Sequence, residues 1–512
     1  MQDILTEVAG RRGDAPALVT DDLEAHYCEW SFRELEDNAN RIARVLCNLG
    51  IRGGENILWS GPNSVWAVAI INAARKLGGV SVALNYQLAP EEALYIANHS
   101  DARCILFDQE AAPLLARIQD RFENIQHRLY YGAGDAGPGE RLQALIRGVH
   151  AAPLPPPEDH GGGTLTYTSG TTGRPKGVIR PPFDPAANPW LDDIAYEPGD
   201  VYITSGPVYH SGPRTFLEAA TKSGCLAVIQ RKFNAENWLR LVSKYGVTHS
   251  FAAPTPIRRI CQLPPEVLAR YSTESVRVLI ANAAPWSQAL KLSYLEHFPK
   301  HSLYESYGST ELGTTTLLYP EEQLVKVGSC GRAVKGIELR LYDEAGQQIL
   351  APNTPGELYA RGHGVFESYY KDSDSYLRCH RDGFQTVGDV AYLDEEGYVY
   401  ICDRKQDMII SGGVNLYPAE IESAIEQHPD VLDVAVVARP NEEWGESPHA
   451  VVVIREGGSM DAEELDQFLR DRLAAFKIPR SMTVVDAIPR NASGKILKKQ
   501  IRDELEQQVA PS

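Results

Sequence analysis

None of the eight cysteines (Cys28, Cys47, Cys104, Cys225, Cys261, Cys330, Cys379 and Cys402) stands in a CxxC pair or at metal-ligand spacing. Neither a disulfide framework nor a zinc site is therefore expected, and the thiols read as reduced, as in a cytoplasmic protein. The opening MQDILTEVAGRRGD has no basic start followed by an apolar run, so no secretory signal is expected. The longest apolar stretch, Val65 to Ala74, is only ten residues, contains Asn72 and stops at Arg75 and Lys76. It falls short of the ~20 residues needed to span a bilayer and reads as a buried helix. The terminal VAPS carries no peroxisomal or lipidation address. Positive charge is in deficit, with 50 Lys and Arg against 68 Asp and Glu, a net charge of -18. Such a field argues against nucleic acid and anionic membrane as partners, so any nucleotide must be held by a local cluster of amides and cations.

What the 512 residues do contain is ordinary globular material, 43% apolar and 23% charged. Ser31 and Glu34 make a capping box ahead of Leu35, Ala39, Ile42, Ala43 and Leu46, an apolar face at helical spacing. Val80–Leu84, Cys104–Phe107, Leu226–Ile229 and Val276–Ile280 read as buried strands alternating with helices, the pattern of α/β layers around parallel sheets. Pro153 to Gly163 breaks all periodicity, and a second irregular stretch runs from Arg180 to Asp200. From near Asp407 the texture changes to a small α+β unit. Its strands are Val431–Val437 and Ala450–Ile454, one helix begins at Pro418 with Ile421, Ala424 and Ile425, and another is capped by Asp461 and Glu464.

The chemistry concentrates in Thr166-Tyr-Thr-Ser-Gly-Thr-Thr-Gly-Arg-Pro-Lys-Gly-Val178, a loop rich in glycine, hydroxyls and cations after a short apolar strand. Glycines let successive amides turn toward one anion, hydroxyls add donors and Lys176 adds charge, as a polyphosphate requires. It is not a Walker A loop, because no Gly-Lys-Ser/Thr follows at the required spacing.

The segment Ser169 to Gly177 resembles the signature loop of the AMP-forming adenylating superfamily, which includes acyl-CoA synthetases, peptide-synthetase adenylation domains and beetle luciferases. Four further segments resemble that family in order and spacing: Tyr304-Glu-Ser-Tyr-Gly-Ser-Thr-Glu311, Gly388-Asp389, Asp403-Arg404 and Pro489-Arg-Asn-Ala-Ser-Gly-Lys495. The resemblance covers the whole chain. It implies an α/β fold: a large N-terminal domain of layered α/β sheets, residues 1–405, with the ATP and acyl sites, and a small mobile α+β C-terminal domain, residues 406–512, with the lysine loop.

By the same resemblance, Thr168, Ser169, Gly170, Thr171, Thr172, Gly173 and Lys176 would take the phosphates, with Thr310 near the α-phosphate and Glu311 as the oxygen ligand of Mg²⁺. Ala283, Ala284 and Pro285 would border adenine, Tyr307 would stack on it beside Gly308, and Asp389 would accept the ribose diol. Arg404 would hold ribose or phosphate oxygens, and Lys495 would bridge the attacking carboxylate and the α-phosphate. Gly412 and Gly413 would meet the pantetheine arm of the thiol.

The implied activity is that of an AMP-forming carboxylate–CoA ligase using ATP, Mg²⁺ and CoA. A carboxylate attacks MgATP to give an acyl-adenylate and pyrophosphate, and the CoA thiol then takes the acyl group and releases AMP. The small domain would rotate between the halves. The acyl pocket would be lined by Tyr209, His210, Phe251, Ala281, Ser306, Gly308 and Gly313. Its aromatic wall and two glycines suit an aromatic or medium-chain acid, and the absence of lysine or arginine from that set disfavours a diacid. Three positions depart from the family pattern: Gln406 at the pivot, Val387 before Gly-Asp, and Arg180-Pro181-Pro182 where a Thr-His helix start is usual. The prolines that follow, Pro185, Pro189 and Pro198, preclude a regular helix there.

The chain stops soon after the lysine loop, which favours diffusible CoA over a fused carrier. A ligase loading a separate carrier protein is the nearest alternative, and a luciferase-like adenylate oxygenase a second. A regulatory protein that has lost catalysis has no chemical need for Lys176, Glu311, Asp389, Arg404 and Lys495 together. The partners expected are a small carboxylic acid and CoA, with a homo-oligomer left open.

Overall fold

The computed structural model describes residues 3–22, 27–132, 134, 139–155, 157, 162–168, 174–412, 414–441, 443–490 and 496–509, with side chains as far as 505. Ser169, Gly170, Thr171, Thr172, Gly173, Gly413 and Lys495 lie outside the described residues.

The helix Phe32–Asn48 begins where the capping box places it, with the Ser31 Oγ accepting the Glu34 N–H at 3.2 Å and the Glu34 carboxylate accepting the Ser31 N–H at 2.8 Å. Val65–Lys76 is the buried helix expected of the longest apolar run, capped by Ser64. Together with Ser211–Lys222, these helices fill the space between two sheets, and one continuous apolar cluster joins them to both.

The first sheet has eight strands in the order Ser368–Tyr369, Lys176–Arg180, Thr164–Thr168, Val80–Leu84, Asn56–Ser60, Cys104–Asp108, His127–Tyr131 and Glu140–Arg141. Its pairings are parallel from Thr164–Thr168 onward and antiparallel at the first two strands. The second sheet runs Leu303–Glu305, Val278–Ala281, His249–Ala252, Val201–Thr204, Leu226–Val228, Pro16–Asp21 and Tyr27–Ser31, all parallel except the last pair. The apolar runs expected as strands are these buried strands, the fourth shifted by two residues to Val278–Ala281. Helices Ala235–Tyr245, Pro254–Cys261 and Gln288–His297 cover the outer face of the second sheet, and Pro90–His99 and Ala112–Ile118 that of the first. The result is five layers of alternating helix and sheet, because strands buried on both faces must be covered on both.

A third, antiparallel sheet is built from Ile337–Tyr342, Gly356–Gly362, Phe384–Leu393 and Val399–Arg404, with short edges at Gln348–Ile349 and His380–Arg381. It ends at the turn containing Lys405, exposed Gln406 and Asp407.

Beyond it, Val431–Asn441 and Gly445–Ile454 form a long hairpin flanked by Ile409–Ser411 and Ser481–Val484. Helices Pro418–Ile425 and Ala462–Leu469 pack on one face and Lys498–Val509 on the other. Every residue of these two cores lies at Ile409 or later. Contact with the larger body is polar: Asp403 Oδ2 accepts the Ala419 N–H at 3.0 Å and lies 3.6 Å from Lys498 Nζ. The Arg258 nitrogens stand 3.7 Å from Asp433 and 4.0 Å from Glu426. Among the described residues no helix is long and apolar enough to cross a membrane, and the eight cysteines are unpaired.

Candidate active site

The parallel strands of both large sheets end at one cavity of about 1160 Å³. Thr168, Asn85, Ser205, Ala253 and Asn282 stand at or just past the carboxyl ends of five strands, and all line it. This is where open α/β sheets place their ligands, since the turns after the strands leave a crevice. Arg490 and Leu497, from the carboxy-terminal unit, close one side.

At one end of the cavity Thr168 and Glu311 face each other, the Thr168 hydroxyl donating to Glu311 Oε1 at 3.4 Å and the Tyr369 hydroxyl to the same oxygen at 3.4 Å. Lys176, at the start of its strand, donates to Ser375 Oγ at 2.7 Å, with Asp372 at 3.7 Å and the Tyr369 ring 5.1 Å beneath its ammonium. Its charge is thus held by a hydroxyl, a ring and a distant carboxylate. Glu311 keeps lone pairs free beside two hydroxyls. That donor set fits a Mg²⁺ ion brought in by phosphates, which needs only one or two carboxylates from the protein. Among the described residues there is no cluster of three His, Cys, Asp or Glu that would form an all-protein metal cage.

Asp389 lies behind this end, buried, accepting the Tyr307 hydroxyl and standing 3.4 Å from Arg404 Nε. Burial and the Asp389 carboxylate hold the Tyr307 phenol well above its ordinary pKa, so it stays a donor. Arg404 and Val387 reach the cavity wall. Ala283 also lines the wall in the left-handed region, φ 71°, its N–H donating to the Asn282 side chain.

The hairpin Gly308–Ser309/Gly313–Thr314, which carries Thr310 and Glu311 at its tip, closes tightly. A Cβ on Gly308 would overlap the Gly313 carbonyl, and one on Gly313, at φ 70°, would fall 2.5 Å from the Gly364 carbonyl oxygen. Thr310, on that hairpin, shares a 2.8 Å hydrogen bond with Ser211 Oγ. Tyr209, His210 and Phe251 form an aromatic wall, with the Tyr209 hydroxyl donating to Gln87 at 3.2 Å and Phe251 stacked on Phe216 at 4.9 Å. Burial, with Arg214 nearby, pushes His210 down to about 4, so it is a neutral imidazole at pH 7. Its Nε2 is buried with no hydrogen-bond partner among the described residues.

Several expected wall residues stand elsewhere. Ala281 is fully buried in the apolar cluster on the outer face of its sheet, because strand alternation turns its side chain away from the cavity. Ser306 is buried and spends its carbonyl and hydroxyl on the Asn282 amide at 2.8 and 2.7 Å. Ala284 and Pro285 are not on the cavity wall. Gly412 lies on the carboxy-terminal sheet under Trp444, to whose carbonyl its N–H donates at 2.8 Å.

Arg180, which is not in the expected set of acyl-wall residues, also lines the cavity. In place of the usual helix the chain forms two short 3₁₀ turns, Pro185–Ala187 and Pro189–Asp193, and Phe183, Asn188 and Trp190 line the cavity. The signal was present in the sequence, as an arginine directly after the apolar pair Val178-Ile179, at the end of the strand.

The family description AMP-binding enzyme matches residues 5–370, and AMP-binding enzyme C-terminal domain matches residues 420–495. A long-chain-fatty-acid–CoA ligase of Mycobacterium tuberculosis is 31% identical over 93% of this chain and 93% of its own length. A fatty acid–[acyl-carrier-protein] ligase of Streptomyces coeruleorubidus is 31% identical over 92% of this chain and 91% of its own. The solved structure of the o-succinylbenzoate CoA synthetase of Bacillus subtilis, in complex with its acyl-adenylate intermediate, superimposes with a TM-score of 0.84 at 27% identity, covering 98% of both chains. On the span of these matches and the agreement of fold, the chain belongs to the AMP-binding enzyme family, the AMP-forming adenylating enzymes.

Proposed function

We propose that this member of the family is an AMP-forming carboxylate–CoA ligase, acting in the cytoplasm on an acid with an aromatic or medium-length body. The observation that carries the reading is the single cavity in which Lys176, Thr310, Glu311 and Arg404 share walls with Tyr209, His210 and Phe251. Polar groups suited to a triphosphate and an apolar slot suited to an acyl group face the same space.

In this reading the ribose diol donates to Asp389, whose orientation is fixed by Tyr307 and Arg404. Lys176 exchanges Ser375 for a phosphate oxygen, and Thr310 turns its hydroxyl toward the α-phosphate. Glu311 would hold the Mg²⁺ that travels with ATP, which supplies charge neutralisation to the phosphates. An oxygen of the acid attacks the α-phosphorus, and the bond to the bridging oxygen of pyrophosphate breaks. Lys495 is assigned to the charge that grows between the two reactants, where one fixed cation counts most. The thiol, losing its proton, then attacks the acyl carbonyl and AMP leaves with the electron pair of the broken acyl–oxygen bond. Rotation of the carboxy-terminal unit brings Gly412 and Gly413 to the thiol arm and keeps water from the adenylate.

The carrier-protein reading is supported by the Streptomyces relative, whose name specifies an acyl-carrier protein. Pyrophosphate release from MgATP across a panel of aromatic, short, medium and long acids, with and without CoA, decides between them. Acid-dependent release with matching loss of free thiol is the expected result. Release without thiol loss shifts the assignment to a carrier protein, and release with none of the acids rejects the ligase reading.

A further inference from the structure

Arg180 closes the strand Lys176–Arg180 and turns its guanidinium into the hairpin end of the cavity. Nη1 donates to the Thr310 carbonyl at 2.8 Å and Nη2 to the Gly364 carbonyl at 2.6 Å. A guanidinium has five N–H groups, so three remain. Among the described residues no carboxylate forms an ion pair with Arg180, and Glu311 acts on it only from a distance. Burial together with Arg214 lowers Arg180 to about 10, which leaves it fully charged at neutral pH.

Arg214 lies fully buried behind the wall, on the helix Ser211–Lys222. Its Nη2 donates to Thr166 Oγ1 at 2.7 Å, while Nη1 has no hydrogen-bond partner among the described residues. Its carboxylate neighbour, Glu218, is 3.9 Å from Nε and is engaged more closely by Lys222 at 2.9 Å. Arg214 and Lys222 thus share one buried carboxylate, Glu218, and the charge of Arg180 stands near that of Arg214. Unmatched charge in a site removed from water is costly unless something bound there supplies the counter-charge.

Resting on the acid-activating reading above, we propose that the acid this enzyme takes carries a second anionic group besides the carboxylate that reacts, and that Arg180 is the residue that selects it. The planar fork of an arginine pairs with two oxygens of a carboxylate at once, which neither Tyr209 nor neutral His210 can do. Arg214 is a positioning residue: it keeps Thr166 and the end of its strand in place and adds positive potential behind Arg180. The diacid disfavoured by the expected wall is favoured by the one the structure has.

The test compares octanedioate with octanoate, and 3-(4-carboxyphenyl)propanoate with 3-phenylpropanoate, by kcat/KM for pyrophosphate release in wild type, Arg180→Met and Arg180→Lys. Wild type should prefer the dianionic member of at least one pair by about ten-fold or more, since a site built for a charged acceptor rejects the analogue without it. Arg180→Met should erase that ratio by slowing the dianion far more than the monoanion, and Arg180→Lys should keep part of it. Wild type preferring the monoacid in both pairs overturns the proposal and leaves the ligase reading standing. An unchanged ratio in Arg180→Met also overturns it, whether the KM for ATP rises, which assigns Arg180 to the phosphates, or both acids suffer equally with a lower Tm, which makes it a staple of the hairpin.

Discussion

At the nucleotide end of the cavity the working groups come from short contiguous stretches, the strand Thr164–Thr168 with its hairpin partner Lys176–Arg180, and the segment Gly308–Glu311. The acyl end is assembled from Arg180, Phe183, Trp190, Tyr209, His210 and Phe251, brought together by strands and turns far apart in the chain. The first end is made largely of hydroxyls, a lysine and a carboxylate, groups any ATP-using member needs in the same place. The second is made of side-chain shapes and the Arg180 charge, which in the proposed reading answer to this chain's own substrate. Chemistry common to a family sits in sequence-local motifs, and chemistry that distinguishes a member sits in tertiary contacts.

Four expected outcomes press on that contrast. Lys495→Ala should slow adenylation by on the order of 10²- to 10³-fold, as loss of one transition-state donor does, and leave thioester formation from preformed adenylate much less affected. Single-turnover measurement of each half-reaction checks this, and equal losses in both would remove the separation of roles. Asp389→Ala should raise the KM for ATP by about ten- to a hundred-fold, the value of hydrogen bonds to a charged group, and 2′-deoxy-ATP should lose little further. A full additional loss with the deoxy nucleotide would break the ribose assignment.

The third outcome concerns pH. His210 and His449 are both pushed down to about 4 by burial, each against a neighbouring arginine. The unfolded chain binds protons at these positions below about pH 6.5, where the folded protein does not, so stability is full above that value and falls as pH drops toward 4. At pH 5 each should cost about 2 kcal/mol, read as a fall in Tm. His449 donates or accepts at both nitrogens, with Ser481 Oγ at 2.7 Å and Thr483 Oγ1 at 3.1 Å, whereas His210 Nε2 has no partner. His449→Gln should therefore lower Tm at pH 7.5 and His210→Gln scarcely at all, although both should flatten the acid limb. The smallest effect belongs to Arg258→Ala, expected to change stability by about 0.5 kcal/mol or less. A larger loss in urea titration would make the contact between body and carboxy-terminal unit stronger than its distances imply.

Much of the fold was legible because its strands are buried on both faces and its helices carry caps. The Ser31 and Asp461 boxes, Pro418 and the runs at Val80 and Cys104 each mark an element the structure contains. The antiparallel sheet from Ile337 to Arg404 was not, because half-exposed strands with mixed burial give a weak pattern. At the site, Thr168, Lys176, Thr310, Glu311 and Arg404 come together as their motifs suggest. Ala281 and Ser306 do not, since which face of a strand meets a cavity depends on how the sheets stack. Arg180 went unread for the converse reason: it looked like a departure from a pattern, and only the hairpin at Gly313 and Gly364 shows where its charge goes.

The contacts that hold the carboxy-terminal unit against the body have an energetic meaning of their own. Arg258 reaches Asp433 and Glu426 at 3.7 and 4.0 Å, and Asp403 accepts one hydrogen bond from the Ala419 N–H and lies 3.6 Å from Lys498 Nζ. Long, partly exposed pairs such as those of Arg258 contribute about 1 kcal/mol or less each, against the ~5.5 kcal/mol of differential affinity that carries a two-state equilibrium from one extreme to the other. An arm moored so lightly has no strong preference of its own. In the proposed mechanism its resting point would be set by whichever ligand fills the cavity, with occupancy as the weight and the carboxy-terminal unit as the balance beam.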